Sequence, residues 1–536
     1  MAINLLACNS NTPSSTATNS QIFTNNCTPE VLEGSGNITL QGTLSYTDKH
    51  YDNNGFTGKT RVLPARFIHI ELLDDNDKVV SRHTSDQLGN YQLHASQNGS
   101  YRLRILTKTQ ANCHDLDMQI RDLEDFPMAV TQTVNLTSNN NPLDITISHT
   151  HPLSGAFNIL DVYTTAAEFI LQNNSPLPPP LNIYWSPGAK QLGTYYCLET
   201  DHFCPNGQGI YILSGSSGDD TDEFDDDVLW HEYGHFVAEQ YAQDNSEGGQ
   251  HSLRQNDLDL RLAFSEGWGN FFPLAIKNWL LTTKPTLLSM STSNAANIYV
   301  DTTGENGGWS YDFSTTPTAP YIYASNEVAV TTLLRQLHLS YGVDKIWRVM
   351  TDHLKHLNTP TNLEAFWDGW LNLHTPNTQE LNNLYQHLAL RQIFYQPDDF
   401  EEDDDLSNSN PLLMPCLTSD KHCQTERHTL YETDDEDVLQ LQLVANTQYS
   451  IKTLNLHNGT DTVIELIDAH TLQVVAENDN FLSLSGLIDN DTTSLSSLIS
   501  YTPEQNGRYY VRVTSSSKKL KSAGRYGDYA IQLLTK

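Results

Sequence analysis

The sequence predicts a multidomain fold, a central α+β domain flanked by two β-sandwich domains, and three observations carry that expectation. Apolar and polar residues alternate with a period of two between residues 38 and 105 and again between 438 and 513, the pattern of strands with one buried face. Between about 155 and 395 the texture becomes helical. A polar Asn/Ser/Thr stretch and an acidic run mark the remaining boundaries. With 536 residues the chain has room for three or four cores of ordinary size.

In chain order, residues 1–35 form a polar tether with too little apolar content for a fold. A β-sandwich is expected over 36–150, from runs such as Ile38-Thr39-Leu40-Gln41-Gly42-Thr43-Leu44, Phe67-Ile68-His69-Ile70-Glu71-Leu72 and Tyr101-Arg102-Leu103-Arg104-Ile105. The turn from Thr84-Ser85-Asp86 to Gly89-Asn90-Tyr91 resembles that of transthyretin-like or carboxypeptidase-regulatory-like domains. The central domain, 151–396, opens with the helical run from Phe157 to Phe169, followed by strand candidates Leu181–Trp185 and Gly209–Leu213. The latter would provide a sheet whose edge can hold an extended chain. Residues 397–427 begin with Pro397-Asp398-Asp399-Phe400-Glu401-Glu402-Asp403-Asp404-Asp405. That run reads as a solvated linker because like charges repel, with Ca2+ capture as its alternative. A second sandwich over 428–536 is predicted from Val438–Leu443, Tyr449–Lys452, Val463–Leu466 and Tyr509–Val513.

The charge excludes some functions. Lys and Arg total 30 against 65 Asp and Glu, a net charge of −35, and such a field repels nucleic acid and anionic membranes. Cysteines stand at 8, 27, 113, 197, 204, 416 and 423, and the pairs Cys197/Cys204 and Cys416/Cys423 are spaced for local disulfides. Six could pair, leaving Cys8. Leu5-Leu6-Ala7-Cys8 resembles a bacterial lipobox, yet only five residues lie between Met1 and Ala7 and none is basic, so a lipid anchor at Cys8 and a chance match in a polar terminus both stay open. An exported protein is the expectation, secreted or held at the cell surface.

Chemistry concentrates in His231-Glu232-Tyr233-Gly234-His235. Two imidazoles four residues apart share one helix face and can reach one zinc ion, with Glu232 beside it as general base. On a helical projection Leu229, Tyr233, Phe236 and Val237 cluster opposite the histidines, so one face packs and the other offers ligands. A catalytic zinc needs a third protein ligand. Glu266, in Phe264-Ser265-Glu266-Gly267-Trp268-Gly269-Asn270-Phe271-Phe272, is chosen because an acid in so apolar a run is costly unless bound. The acidic stretch Asp219 to Asp227 is read as favourable charge at the start of the metal helix, with Ca2+ binding or a preference for basic substrates as alternatives.

Phe224-Asp225-Asp226-Asp227-Val228-Leu229-Trp230-His231-Glu232-Tyr233-Gly234-His235 together with Glu266-Gly267-Trp268 resembles the fungalysin peptidases, relatives of thermolysin, over roughly 155 to 395. The resemblance implies a zincin-type α+β catalytic domain, a zinc-dependent endopeptidase acting on protein or peptide substrates, and Glu266 as the third ligand. Three departures stand out. The 30 residues between His235 and Glu266 exceed the family spacing, which an inserted loop around Asp244 to Asn256 would explain. Asn270 stands where the family has an Asp that orients a ligating histidine. In Ile322-Tyr323-Ala324-Ser325-Asn326-Glu327-Val328, Tyr323 replaces the histidine that polarises the scissile carbonyl; Tyr323 is the expected oxyanion donor, with Tyr311 or Tyr321 as substitutes. Asp435-Glu436-Asp437-Val438, Gly459–Val463, Asn478-Asp479 and Gly507–Val513 resemble the bacterial pre-peptidase C-terminal domain. Two other readings remain: an inactive surface adhesion or carbohydrate-binding protein on a peptidase scaffold, and an aminopeptidase.

Overall fold

The computed structural model describes residues 36–536 except for 112–115, 190–192, 199–203, 216–219, 291, 293, 304–306, 413, 421–422, 433, 481–494 and 517–523. The tether, Cys8, Cys27 and Cys113 lie outside the described residues, and with them the lipid-anchor expectation. The chain is multidomain and rich in sandwich-like β-sheet. Cys197 pairs with Cys204 and Cys416 with Cys423 as the spacing predicted, bonds that agree with the expectation of an exported protein. Among the described residues no helix is long and apolar enough to cross a membrane.

The alternating runs of the first region become strands. Ile38–Asp52 is the longest, pairing antiparallel with Gly55–Pro64 and Asn90–Ala95. Ile68–Leu73 and Gly99–Ala111 pair antiparallel in a second sheet. The turn at 86–90 closes through the Asp86 carboxylate, which accepts the N–H groups of Leu88 and Asn90, both at 2.8 Å, while Gly89 takes the left-handed conformation at φ 79°.

The expected boundary at residue 151 is not a structural break. The second sheet has eight strands and continues from Gly99–Ala111 through Leu116–Arg121 into Leu181–Tyr184, Gly209–Tyr211 and Tyr195–Cys197. Leu181 lies against Met118 and Ile183 against Ile120 in parallel register. One apolar core runs from Ile38 to Tyr395 and beyond. The first region thus forms a five-stranded sheet of its own and supplies five of the eight strands of the second: period two reports that a strand has a buried face, not which element covers it or where its sheet ends.

Helix α1 (Ser154–Gln172) covers this sheet and is buried along nearly its whole length. Its attachment is ionic as well as apolar. Arg66, 3% exposed, reaches across from the turn before Ile68–Leu73, with Nε 2.5 Å from Asp161 Oδ1 and Nη1 2.9 Å from Glu168 Oε2. Helices α2 (Asp226–Ala242), α3 (Leu260–Thr283), α4 (Glu327–Tyr341), α5 (Val343–Arg348), α6 (Leu363–His374) and α7 (Thr378–Ala389) follow. Helix α2 lies between α1 and α3.

The acidic stretch before α2 places Asp226 and Asp227 in the first helical turn, as expected, and does more. Asp225, Asp226 and Asp227 are buried, and each anchors a different neighbour. Asp225 accepts the Thr302 N–H at 2.5 Å, Asp226 the Ser289 hydroxyl at 2.5 Å, and Asp227 forms a buried ion pair with Lys277 of α3 at 2.7 Å. Carboxylates at a helix N-terminus are favoured by the free N–H groups, but here they also set where α2 sits.

The C-terminal region is a sandwich of two five-stranded sheets around its own core, with strands Glu436–Leu443, Tyr449–Leu454, Thr462–Asp468 and Gly507–Ser515 where alternation placed them. It docks on α6: Arg525 and Tyr526 donate backbone N–H bonds to Glu364, and the Tyr526 hydroxyl reaches Asp368 at 2.7 Å. The acidic run is no free linker. Asp403 is wholly buried, Asp398 accepts the Thr429 N–H at 2.8 Å, and Asn410–Pro411 joins a sheet beside Leu439 and Gln440.

Candidate metal centre

The opposite periodicities of α2 resolve into one packed side and one cleft side. Leu229, Tyr233, Phe236 and Val237 belong to the central core. His231 and Glu232, each 8% exposed, lie on the floor of a cleft rather than in open solvent. Helix α3 crosses beside them, and its glycines permit the approach. A Cβ at Gly269 would stand 2.8 Å from His231 Nε2 and 3.1 Å from His235 Nε2, and one at Gly267 would meet Val330 of α4 at 2.5 Å. The Glu-Gly-Trp-Gly run is thus a contact surface, and Trp268 locks it by donating its indole N–H to the Gly234 carbonyl at 2.9 Å.

This packing brings the three predicted ligands together. His231 Nε2 lies 3.0 Å from His235 Nε2 and 3.2 Å from Glu266 Oε2, and His235 Nε2 lies 3.5 Å from the same oxygen. Ligands of a tetrahedral zinc with bonds of roughly 2.0–2.1 Å stand about 3.3 Å apart, so the donor set fits that ion. Burial opposes charge on Glu266, yet His235, His231 and His251 around it hold its carboxyl well below the usual range. His235 is raised to about 9 against its own burial, chiefly by Glu266. The centre is built for positive charge. Replacing Gly269 with alanine would push a methyl group into both rings, and zinc affinity is expected to fall roughly tenfold or more, measurable by chelator competition; unchanged affinity would show that the rings yield freely.

The surroundings hold the ligands unequally. His235 Nδ1 lies 3.2 Å from the Ser265 hydroxyl, which donates to Asp244 at 2.5 Å, a relay that fixes the ring through a hydroxyl. Among the described residues His231 Nδ1 has no hydrogen-bond partner. Asn270 does not orient it; its amide donates instead to Glu327 Oε2 at 3.2 Å. Glu232 Oε2 accepts the Tyr196 N–H at 2.7 Å, and burial pushes the Glu232 carboxyl above its ordinary range against the pull of His231 and His235. Tyr196 belongs to Tyr195–Cys197, the outermost strand of the eight-stranded sheet.

Two cavities flank the centre, of about 880 and 500 Å³, and share Gly193, Thr194, His231, Glu232 and His251. The larger passes Tyr196, Asp244 and the loop 246–250; the smaller passes Asn270, Tyr299, Asp301 and Trp309. The cleft is open on both sides of the paired histidines.

Tyr323 is not brought to it. Its backbone takes φ 78°, its N–H donates to the Arg391 carbonyl at 2.9 Å, and its ring stacks on His457 of the C-terminal region at 4.5 Å. Tyr311 and Tyr321 pack against each other at 5.6 Å, and none of the three lines either cavity. The residue that sequence reasoning passed over is His251, on the α2–α3 loop, with Nε2 3.4 Å from Glu266 Oε2 and Nδ1 3.4 Å from Glu327. The loop was recognised as an insertion, but no spacing rule ties a histidine in a loop to a helix pair. A second group of donors lies in the C-terminal region: Glu401, Asp435 and Asp437 approach one another, as do Asp398, His428 and Asp437. Both oxygens of Glu401 and one each of Asp403, Asp435 and Asp437 are buried without a hydrogen-bond donor among the described residues.

No protein-family model matches the chain, and no curated protein is similar to it at a significant level. Among solved structures it is similar to the pre-peptidase C-terminal domain of collagenase from Bacillus anthracis, at 13% identity over 23% of this chain and 95% of that one, with a TM-score of 0.17. It is also similar to a periplasmic inhibitor of g-type lysozyme from Aeromonas hydrophila, at 10% identity over 23% of this chain and 99% of that one (TM-score 0.14). A putative carbohydrate binding protein from Pseudomonas aeruginosa matches at 12% identity over 21% of this chain and 89% of that one (TM-score 0.14). Scores this low leave the meaning of the centre to its own geometry.

Proposed function

We propose that the chain is an exported zinc metallopeptidase with a zincin-type, fungalysin-like catalytic unit, hydrolysing peptide bonds in protein or peptide substrates. One observation carries the reading: His231 and His235 from α2 and Glu266 from α3 converge at zinc-ligand spacing beside a buried Glu232, in a cleft open on both sides. A zinc ion held by the three would supply Lewis acidity toward a water and a scissile carbonyl. Glu232, held by the Tyr196 N–H, takes the proton of the attacking water and later delivers it to the leaving amine. Tyr195–Cys197, the outermost described strand of the eight-stranded sheet, runs beside Glu232 and is where an extended peptide would lie along the cleft, and a cleft lined on both sides of the histidines favours internal bonds over the aminopeptidase alternative. The adhesion or carbohydrate-binding alternative leaves the Glu232 carboxylate without a task. Zinc content by atomic absorption and cleavage of casein test the reading: about one zinc per chain with cleavage is expected, and a metal-free, inert protein would end it.

Ca2+ is proposed as a second, structural cation at Glu401, Asp435 and Asp437, because both oxygens of Glu401 and one each of Asp435 and Asp437 are buried without a hydrogen-bond donor among the described residues, with only His428 facing Asp437 Oδ1 at 3.6 Å, and hard oxygen donors suit that ion. Burial, with Asp437 next, raises Asp435 to about 9 and Glu401 to about 8; burial and Asp437 raise Asp403 to about 7. Each carboxyl holds its proton more tightly folded than unfolded. Without calcium the stability of this region therefore falls as pH rises from the ordinary carboxylate range towards 7–9. Calcium is expected to raise its melting temperature at pH 8 and to flatten that dependence, as scanning calorimetry with calcium or with chelator would show; identical curves would remove the ion from the proposal.

A further inference from the structure

We propose that His251 is a further catalytic residue, donating its Nε2–H to the oxyanion formed at the scissile carbonyl, with Glu327 and Asn270 as its positioning residues. The inference rests on the metallopeptidase reading and names a part of the same site. His251 lies on the loop between the two ligand-bearing helices and lines both cavities where they meet. Its side chain is 31% exposed, so it is reachable from the cleft. Its two nitrogens face different carboxylates: Nε2 is 3.4 Å from Glu266 Oε2, and Nδ1 is 3.4 Å from Glu327 Oε1 and Oε2.

The arrangement has a direction. Glu327 is 1% exposed at the first position of α4, where the helix end favours its charge. The Asn270 amide donates to its Oε2 at 3.2 Å, which leaves the carboxylate turned to receive Nδ1–H of His251. A ring held at Nδ1 points Nε2 to the metal centre. His251, Glu266 and Glu327 also lie close enough for one atom of each to meet on a shared ion; with Nδ1 held by Glu327, the ring instead presents Nε2 toward the metal centre and the cleft. Among the described residues it does not form one donor group with His231 and His235; it lines both cavities beside them, within the cleft a substrate carbonyl would enter.

In the reaction, the water oxygen adds to the carbonyl carbon, its proton passes to Glu232, and the C=O π pair moves onto the carbonyl oxygen, which accepts the His251 Nε2–H. When the C–N bond breaks, that pair re-forms the carbonyl and the Glu232 proton goes to the amine nitrogen. His251 ends as it began. The phenol expected at 323 is thereby replaced by an imidazole reaching the cleft from another element.

The test uses the full, zinc-loaded chain with an internally quenched peptide, comparing wild type with Glu232→Gln, His251→Ala, His251→Gln and Glu327→Gln. Loss of one oxyanion donor is expected to lower kcat about 100-fold in His251→Ala, with KM within about threefold and zinc content unchanged. Partial recovery is expected in His251→Gln, whose amide can donate, and a smaller loss in Glu327→Gln. If wild type cleaves and Glu232→Gln does not, yet His251→Ala keeps wild-type kcat, the assignment of His251 alone is overturned. It is equally overturned if His251→Ala loses zinc, which makes His251 a ligand, or if wild type binds a second zinc that His251→Ala lacks. If wild-type protein does not cleave, the metallopeptidase reading fails and this inference fails with it.

Discussion

Glu232→Gln is expected to lower peptide hydrolysis by roughly 10³-fold, about 4 kcal/mol of transition-state stabilisation, while zinc stays bound. The glutamine is nearly isosteric, and its carbonyl oxygen can still accept the Tyr196 N–H now held at 2.7 Å by Glu232 Oε2. The three ligands are other residues, so metal content is not expected to change. What is lost is a base. Burial raises the Glu232 carboxyl from its ordinary range, towards the value at which a carboxylate best accepts and returns a proton near neutral pH. Turnover of a peptide substrate and zinc analysis on the same samples decide the matter. Equal rates in the two proteins would mean that any hydrolysis comes from elsewhere, and the scaffold would then stand closer to the adhesion alternative.

The largest expected effect on stability comes from Arg66→Met. The guanidinium contacts Asp161 and Glu168 and also donates to the Asp161 carbonyl at 3.0 Å and the Thr165 hydroxyl at 2.7 Å. Asp161 further accepts the Tyr46 hydroxyl at 2.9 Å, and Glu168 an ion pair from Lys284 at 2.8 Å. Removing the cation leaves Asp161 with the Tyr46 hydroxyl and Glu168 with Lys284 and the Gln87 amide, and breaking a buried pair in this way costs roughly 3–5 kcal/mol. The transition assigned to residues 36–396 should melt earlier, while the C-terminal sandwich, with its separate core, should melt unchanged. Calorimetry resolves the two. If Arg66→Met melts like wild type, the first 150 residues are not welded to the central sheet as described. The double variant Arg66→Met, Asp161→Asn should recover part of the loss, since Glu168 keeps Lys284 as its counter-charge and Asp161 no longer carries one.

Much of the fold was legible because local pattern reports local structure. The C-terminal strands lie where period two placed them, and the strands Leu181–Tyr184 and Gly209–Tyr211 precede α2 as expected. Partnership between distant segments was not legible. Alternation in Tyr101–Ile105 is the same whether the sheet ends at residue 147 or continues into Leu181–Tyr184, so the domain boundary was misplaced. The acidic run from residue 397 misled for a related reason: composition suggests solvation, but Asp403 is buried, because partners or shared cation-binding geometry can reverse the usual cost of burying a carboxylate.

At the centre the division is sharper. The sequence by itself determined the two histidines and the glutamate between them, because a helical turn carries residues four apart to one face whatever surrounds it. It also pointed to Glu266, because an acid among aromatic residues needs a compensating partner. Only the tertiary structure decided that Glu266 arrives within 3.5 Å of both rings, that Tyr323 turns away onto His457, and that His251 stands between Glu266 and Glu327. Those facts depend on helix crossing, loop path and a positive φ, each set by packing between residues far apart in the chain, which no spacing along it encodes.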